Sequence, residues 1–370
     1  MATLGLIFSN IHDQENFDIT KERTIASTPV GGRYRLIDFA LSNMVNNNIR
    51  KIGVVTKNNY QSLMDHIGSG KDWDLARKRG GLTILPPYGS TNDLYNTRLE
   101  ALKAILRYID LSSEEYVVLT DCYNICNIDY RPVFLQHFAT SADITCIYRS
   151  RVVNKDDYKP VNVFTLNEEK RIVEMNSYHD FLGMANTSID TWIMKKELLS
   201  SLVHDAIKNQ YRSFNRDILK ENLKNLKIYG YHFTNYFGSI SSMRSYYELN
   251  MDLLNPNIRE ELFNQKGRSI YTKVRDSAPT KYGKNAQVTN SLIADGCYID
   301  GVVENSVLFR GAVINKGVEV RNSIIMQSTN IGIDTKLNYI ITDKNVTITP
   351  NVTLYATSKN PLYIKKGETI

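Results

Sequence analysis

The sequence has few cysteine, tryptophan and proline residues and no long apolar run. Its 370 residues include 4 cysteines, 2 tryptophans and 9 prolines. So few cysteines exclude a disulfide scaffold and favour a reducing compartment, and we therefore expect a cytoplasmic protein. No apolar stretch approaches the roughly 20 residues that span a bilayer. The start, MATLGLIFSN, lacks the basic segment of a signal peptide.

The net charge is also small. The chain has 45 Lys and Arg against 39 Asp and Glu, a formal net charge of +6. Proteins that bind nucleic acid concentrate basic residues in a stripe with interleaved aromatic side chains, and this sequence has no such stripe. Hydrophobic residues make up 42% of the chain, enough for large cores in two or three domains. The composition excludes nucleic acid and membrane partners but leaves small anionic ligands open.

The first 250 residues alternate between strand-like and helix-like segments. Residues 51–56 and 115–121 are buried-strand patterns, and residues 36–48 and 94–108 carry apolar side chains at helical spacing. This alternation predicts a mostly parallel, Rossmann-like α/β sheet with helices on both faces. Ligands of such sheets bind at the carboxyl ends of the strands.

After residue 255 the periodicity changes, and apolar residues recur every six positions. Consecutive triplets are Leu308, Ile314, Val320; Ile325, Ile331, Leu337; and Ile340, Val346, Val352. Each triplet fits one turn of a parallel β-helix. Residues suited to left-handed corner conformations are Gly296, Gly301, Gly311, Asn315, Gly317 and Asn322. We therefore predict an α/β domain over 1–255, a linker over 256–268 and a β-helix over 269–370.

Three segments resemble one enzyme family. They are STPVGGRYRLIDFALSN at residues 27–43, HIGSGKDWDL at 66–75 and GGLTILPPY at 80–88. Together with the C-terminal repeats, they resemble glucose-1-phosphate adenylyltransferase (ADP-glucose pyrophosphorylase). The resemblance implies a nucleotidyltransferase domain joined to a left-handed parallel β-helix of hexapeptide repeats. It also implies a reaction in glycogen biosynthesis, in which ATP and glucose 1-phosphate form ADP-glucose and pyrophosphate with Mg²⁺ held by two carboxylates.

The residues at the family's catalytic positions differ from those the chemistry needs. The glycine-rich triphosphate turn is replaced by SNIHDQE at residues 9–15, the family lysine by Ile25, and one metal carboxylate by Ser239. The Gly-Thr-Ala segment falls on Asn96, Thr97 and Arg98, whereas Asp121 remains as a relict metal carboxylate. This pattern resembles the GlgD-type subunit, which pairs with a catalytic paralogue. We expect no catalytic residue, metal or cofactor in this chain, Mg²⁺ in the catalytic partner, and a heterotetramer of the two.

A group of cationic residues is the remaining functional candidate. Arg23, Arg33 and Arg35 flank Gly31-Gly32, and the family binds anionic effectors with basic residues at corresponding places between its two domains. Lys336 on the β-helix is a further candidate. The resemblance implies a site for an anionic effector such as a sugar phosphate, and the alternative is that these are solvated or helix-capping side chains.

Two other functions fit the same sequence. The chain could be an active nucleotidyltransferase with an altered site, or a purely structural subunit that stabilises an assembly without binding a ligand. Turnover by the purified chain separates the first alternative from a regulatory subunit. The effect of neutralising Arg23 and Arg35 on effector response separates the second.

Overall fold

The computed structural model describes residues 1–10, 18–87, 95–153 and 161–370, which form an α/β domain and a β-helix. The strands of the α/β domain are β1 (Thr3–Phe8), β2 (Pro29–Val30), β3 (Tyr34–Arg35), β4 (Lys51–Val55), β5 (Gly81–Leu85), β6 (Tyr116–Asp121), β7 (Asn124–Ile125), β8 (Ile144–Val153), β9 (Val161–Leu166), β10 (Ile172–Tyr178), β11 (Gly183–Lys195), β12 (Ile228–His232) and β13 (Gly238–Ser239). The α-helices are α1 (Leu36–Asn46), α2 (Gln61–Ile67), α3 (Arg98–Ala104), α4 (Leu106–Asp110), α5 (Tyr130–Ala139), α6 (Lys196–Lys208), α7 (Met243–Asp252) and α8 (Pro256–Phe263). Shorter helical turns lie at Asp18–Thr20, Ile25–Ser27 and Lys71–Trp73, and a π-helix at Phe214–Lys220.

The main sheet has the strand order β10-β9-β11-β6-β1-β4-β5, with β8 beside β11 and β12 beside β8. Strand β1 is parallel to β4 and β6, and β4 is parallel to β5. Strand β11 is antiparallel to β6, β8 and β9. The carboxyl ends of β1, β4 and β6 therefore share one edge, which is the usual ligand edge of such sheets. The predicted Rossmann-like α/β fold is confirmed, with an antiparallel part that the periodicity did not indicate.

The helices differ from the sequence predictions at two places. The helix predicted over 94–108 consists of α3 and α4, which are separated at Ile105. The predicted linker 256–268 contains α8, because Asn255-Pro256 starts a helix rather than breaking the chain. The side chain of Asn255 accepts a hydrogen bond from the backbone N–H of Asn257 at 3.0 Å. Proline fits the first helical position, where its missing N–H costs no hydrogen bond.

The C-terminal domain consists of short strands stacked in three parallel sheets. They are β14 (Lys281–Tyr282), β15 (Gln287–Thr289), β16 (Leu292–Ile293), β17 (Tyr298–Ile299), β18 (Val302–Glu304), β19 (Val307–Leu308), β20 (Val313–Ile314), β21 (Glu319–Arg321), β22 (Ile324–Ile325), β23 (Asn330–Ile331), β24 (Lys336–Asn338), β25 (Ile340–Thr342), β26 (Thr347–Ile348), β27 (Thr353–Tyr355) and β28 (Leu362–Ile364). Every third strand joins the same sheet, and each sheet has five strands. This confirms the predicted β-helix.

The six-residue periodicity correctly identified the interior of the β-helix. Leu308, Ile314, Val320, Ile325, Ile331, Ile340 and Val346 are all 0% exposed. Of the predicted corner residues, Gly296, Gly311, Gly317 and Asn322 have positive φ, whereas Gly301 and Asn315 do not. Gly301 is required for a different reason, because a Cβ there would lie 2.4 Å from the carbonyl oxygen of Val318.

Replacing Ile331 with Asp should destabilise the β-helix strongly. The new carboxylate would lie among apolar side chains without a counter-ion, which should lower the free energy of unfolding by about 3 kcal/mol or more. The matched control is Asn330→Asp, since Asn330 is exposed on the same strand. Thermal melting of the two variants checks the prediction. Equal melting temperatures would contradict the inward orientation of Ile331.

The two domains share one hydrophobic core. Val307, Ile324 and Ile341 of the β-helix belong to the same buried cluster as residues of α1 and α7, including Phe39 and Tyr246. These three residues lie on β19, β22 and β25, so this sheet is the one that packs against the α/β domain. In the described part of the chain, no helix has the length and apolar character needed to cross a membrane.

Candidate functional site: a cationic pocket between the domains

A small cavity lies where the β2–β3 turn meets the β-helix. Its volume is about 30 Å³, and an adjoining open groove of about 740 Å³ shares Arg275, Arg310 and Gln327 with it. The residues that line the cavity are Pro29, Gly32, Arg33, Tyr34, Arg35, His66, Arg275, Phe309, Arg310, Gln327 and Lys344. Among them are five arginine or lysine side chains and no carboxylate, so the cavity suits an anion.

The β-helix contributes a regular column to this pocket. Arg310, Gln327 and Lys344 each follow the last residue of β19, β22 and β25 by two positions. They therefore occupy the same corner of three successive turns. Backbone hydrogen bonds connect these corners, from Ser328 N–H to the Arg310 carbonyl and from Asn345 N–H to the Gln327 carbonyl.

The α/β domain contributes the β2–β3 turn, whose conformation depends on two glycines. Gly31 and Gly32 have φ of 59° and 81°, a region that favours glycine. A Cβ on Gly32 would lie 3.3 Å from the Leu308 carbonyl oxygen, so the turn rests directly on the β-helix. Asn250 of α7 fixes the turn by accepting a hydrogen bond from the Gly31 N–H at 3.0 Å.

The pocket carries concentrated positive charge. Burial and the neighbouring Arg35, Arg23 and Arg275 lower the pKa of Lys344 to about 7, although Asp343 opposes this shift. Burial also lowers the pKa of Arg35 to about 10. Because cations in such proximity repel one another, the arrangement favours a bound anion.

His66 contributes a hydrogen-bonded imidazole to the wall of the pocket. Its Nε2 atom lies 2.5 Å from Asp38 Oδ1, and the side chain is buried against Trp73. Burial lowers the pKa of His66. This shift favours the neutral ring, whose Nε2–H would donate to the Asp38 carboxylate.

The structure brings only part of the predicted anion-binding set together. Arg33 and Arg35 line the pocket, but Arg23 and Lys336 do not. Arg23 is buried, and its Nη2 donates to both carboxylate oxygens of Asp343 at 2.9 and 2.7 Å, so its charge joins the two domains. Lys336 lies on β24 in a different sheet and pairs with Glu319 at 2.9 Å.

Of the arginine, lysine and histidine residues that line the pocket, four were not predicted from the sequence: His66, Arg275, Arg310 and Lys344. Arg310 and Lys344 had a detectable signal, because each stands two positions after the last strand residue of its turn. Arg275 had none, since it lies in irregular chain before β14.

The cleft at the carboxyl end of the main sheet has a different character. Asp121 ends β6 and is 2% exposed. Arg98, the first residue of α3, donates to it from Nε at 3.2 Å and from Nη2 at 2.5 Å. Burial opposes the charge of Arg98, but Asp121 and Asp190 outweigh it and raise the pKa of the guanidinium.

The remaining catalytic positions do not offer what Mg²⁺ requires. Mg²⁺ needs near-octahedral oxygen ligands, including carboxylates. Ser239, predicted to replace the second carboxylate, lies on a strand paired with β7, and Ile25, predicted to replace the family lysine, is buried in the core. Among the described residues, no three His, Cys, Asp or Glu side chains form a group that could hold a metal. In its described part, the cleft therefore does not fit the family's Mg²⁺. Residues 11–17, with the acidic Asp13 and Glu15, lie outside that part.

The fold and the cleft are those of a nucleotidyltransferase domain followed by a hexapeptide β-helix. Two family models agree with this class: "Nucleotidyl transferase" matches residues 17–177, and "GlmU-like, C-terminal hexapeptide" matches residues 277–358.

Full-length relatives narrow the class further. The chain is 34% identical to "Glycogen biosynthesis protein GlgD" of Bacillus subtilis over 365 residues, which cover 98% of this chain and 96% of that protein. Identity to the protein of the same name in Geobacillus stearothermophilus is 36% over 370 residues, with the same coverage. Identity to the glucose-1-phosphate adenylyltransferase of Bacillus mycoides is 31% over 319 residues, or 85% of this chain and 84% of that protein. The chain belongs to the glucose-1-phosphate adenylyltransferase family, which includes these GlgD proteins.

Proposed function

We propose that this chain is a subunit of glucose-1-phosphate adenylyltransferase in glycogen biosynthesis, that it does not catalyse the reaction itself, and that it modulates a catalytic paralogue. The observation that carries this proposal is the contrast between its two sites. The pocket between the domains brings five arginine or lysine side chains together, whereas Asp121 in the catalytic cleft is bound to Arg98. A cytoplasmic heterotetramer with the catalytic subunit, which would hold Mg²⁺, is the assembly we expect.

The pocket is suited to regulation because both domains contribute to it. An anion between Arg33 and Arg35 of one domain and Arg310 and Lys344 of the other would hold the domains together by charge. A phosphorylated sugar fits this chemistry, with its phosphate in the small cavity and its body in the adjoining groove.

A short chain segment connects the pocket with the catalytic cleft. Arg23 binds Asp343 of the β-helix, and the turn Ile25–Ser27 follows immediately. The N–H of Ala26 donates to the carbonyl oxygen of Ser9, at the end of β1, at 3.2 Å. Asp343 is the neighbour of the pocket residue Lys344, so direct contacts run from the β-helix side of the pocket to the cleft edge, and a path of this kind suits allosteric coupling.

The proposal is tested by comparing this chain alone, the catalytic subunit alone and their mixture. We expect no ADP-glucose formation by this chain alone, a larger complex in the mixture, and a change in the partner's substrate affinity or effector response. Coupling of this kind typically amounts to about 1–3 kcal/mol, or roughly 5- to 150-fold. Failure to co-assemble, with the partner's kinetics unchanged, would overturn the proposal.

Anion binding at the pocket should weaken as the pH rises above 7. The pKa of Lys344 is about 7 in the absence of an anion, and a bound anion stabilises its protonated form. Affinity should therefore fall by up to about tenfold per pH unit from pH 7 to the higher pKa of the bound state. Sulfate is a suitable probe, because its own charge stays constant over this range.

Calorimetric sulfate titrations between about pH 7 and 9 measure this dependence. This pH range lies above the lowered pKa of His66 and below the pKa of about 10 of Arg35. Lys344→Met should bind sulfate more weakly and flatten the pH profile, whereas Lys336→Met, outside the pocket, should keep the parental profile. If Lys344→Met keeps the parental pH dependence of sulfate affinity, the group that titrates is not Lys344.

A further inference from the structure

Arg98 lies between two carboxylates in the interior of the catalytic cleft. It contacts Asp121 through Nε and Nη2, and its Nη2 is 3.8 Å from Asp190 Oδ1. All three side chains are buried, with exposed fractions between 2% and 7%. The geometry is the two-pronged contact that guanidinium and carboxylate groups prefer.

The neighbouring residues hold this guanidinium in place. Its central carbon lies 4.2 Å from the centre of the Trp192 ring, a favourable cation–π distance. Tyr123 donates its hydroxyl to Asp190 Oδ2 at 2.8 Å, and the Thr97 hydroxyl accepts a hydrogen bond from Glu100 N–H at the start of α3. The helix start, the aromatic ring and both carboxylates thus fix Arg98 from different sides.

A divalent cation could not use these carboxylates while Arg98 is present. Mg²⁺ requires carboxylate oxygens at about 2.0–2.1 Å in octahedral geometry. Here the Asp121 oxygens already accept hydrogen bonds from the guanidinium, and a second cation so close to it would be repelled. The family's metal and this side chain are therefore mutually exclusive.

We propose that Arg98 is a built-in counter-ion that replaces the divalent metal in this cleft, so that the fold of this chain is independent of Mg²⁺. The proposal deepens the proposed lack of catalysis and rests on it for the identity of the cleft. The positive charge that other members take from solution is here part of the chain.

The test compares Arg98→Met with the double variant Arg98→Met/Asp121→Asn. Methionine keeps the length and the apolar contact with Trp192 but leaves Asp121 and Asp190 without the guanidinium. We expect the single variant to melt roughly 5–15 °C below the parent. Millimolar Mn²⁺ should restore part of this loss, and the single variant should bind one Mn²⁺ per chain by electron paramagnetic resonance.

The double variant is the matched control, because it removes both members of the pair. It should melt above Arg98→Met and show no response to Mn²⁺, and the parent should melt at the same temperature in EDTA and in Mn²⁺. If Arg98→Met is insoluble without metal, recovery of soluble protein in the double variant supports the counter-ion role, and no recovery counts against it.

Two results would overturn the proposal. One is stoichiometric Mn²⁺ binding by the parent that Asp121→Asn abolishes. The other is an Arg98→Met chain that folds, ignores Mn²⁺ and melts no lower than the double variant. These measurements use this chain alone. They can therefore overturn the counter-ion role of Arg98 while modulation of the catalytic partner is still observed. Loss of modulation with the expected melting results would instead reject the proposed function and leave the role of Arg98 intact.

Discussion

The purified chain should form ADP-glucose from ATP and glucose 1-phosphate at least roughly 1,000-fold more slowly than a catalytic family member, a loss of about 4 kcal/mol in transition-state stabilisation. The physical reason is the charge balance of the cleft. Arg98 binds Asp121, and Ser239 offers no second carboxylate, so within the described residues the metal that would stabilise the transferring adenylyl group lacks its carboxylate ligands. A coupled assay for pyrophosphate release with saturating substrates and Mg²⁺ measures this rate.

Restoring one carboxylate should not restore activity. In Ser239→Asp, the guanidinium of Arg98 still holds Asp121 and Ile25 still replaces the family lysine. The matched control is the reverse change in the catalytic subunit, where loss of the corresponding acid should abolish turnover. A rate near one per second in the Ser239→Asp chain would show that Arg98 does not block the cleft.

Removing two cations from the pocket should weaken sulfate binding about 100-fold or more. Arg275→Ala/Lys344→Ala deletes two charge-assisted hydrogen bonds, each worth about 1.5–3 kcal/mol. Arg275 is exposed and Lys344 is an unfavourably buried charge, so the fold should tolerate both changes. Sulfate calorimetry on this chain and effector titration of the mixed complex measure the loss, while size-exclusion chromatography should show intact assembly.

Net charge must be controlled in this experiment. Lys336→Ala/Lys359→Ala removes the same charge from exposed positions of the β-helix that do not line the pocket. It should bind sulfate like the parent. Equal loss in both double variants would assign the effect to overall charge, and no loss in Arg275→Ala/Lys344→Ala would place the anion elsewhere. Arg23→Ala is a poor substitute, because it would leave Asp343 buried without its ion pair.

The sequence predicted the parts of the fold whose cause is local. The interior of the β-helix is an example, because a six-residue repeat such as Leu308, Ile314 and Val320 reflects the length of each face. The predicted linker contains a helix that was not predicted from the sequence, and the reason is local as well. The sequence Asn255-Pro256 is compatible with both a chain break and a helix start, and only the capping hydrogen bond from the Asn257 N–H to the Asn255 side chain distinguishes the two.

Most residues of the two sites could not be predicted from the sequence, because contacts between distant parts of the chain bring them together. Arg33 and Arg35 were found because they flank a glycine pair, but Arg275 and Lys344 join them only through the packing of the two domains. In the sequence, Arg98 appeared only as part of the segment that replaces the family's Gly-Thr-Ala. Its role follows from the register of the sheet, which sets Asp121 and Trp192 on adjacent strands β6 and β11.

The corner column of the β-helix has a consequence for ligand choice. Successive turns of such a coil are about 4.8 Å apart. The side chains of Arg310, Gln327 and Lys344 are therefore evenly spaced, and they favour a ligand whose polar groups have a matching spacing. The residues that precede them by two positions, Leu308, Ile325 and Thr342, are fully buried and hold each turn together. A substitution at one of these three corner positions therefore leaves the turn that carries it intact. Under the proposed function, the ligand selectivity of the pocket can therefore change by single substitutions while the β-helix that carries these side chains stays the same.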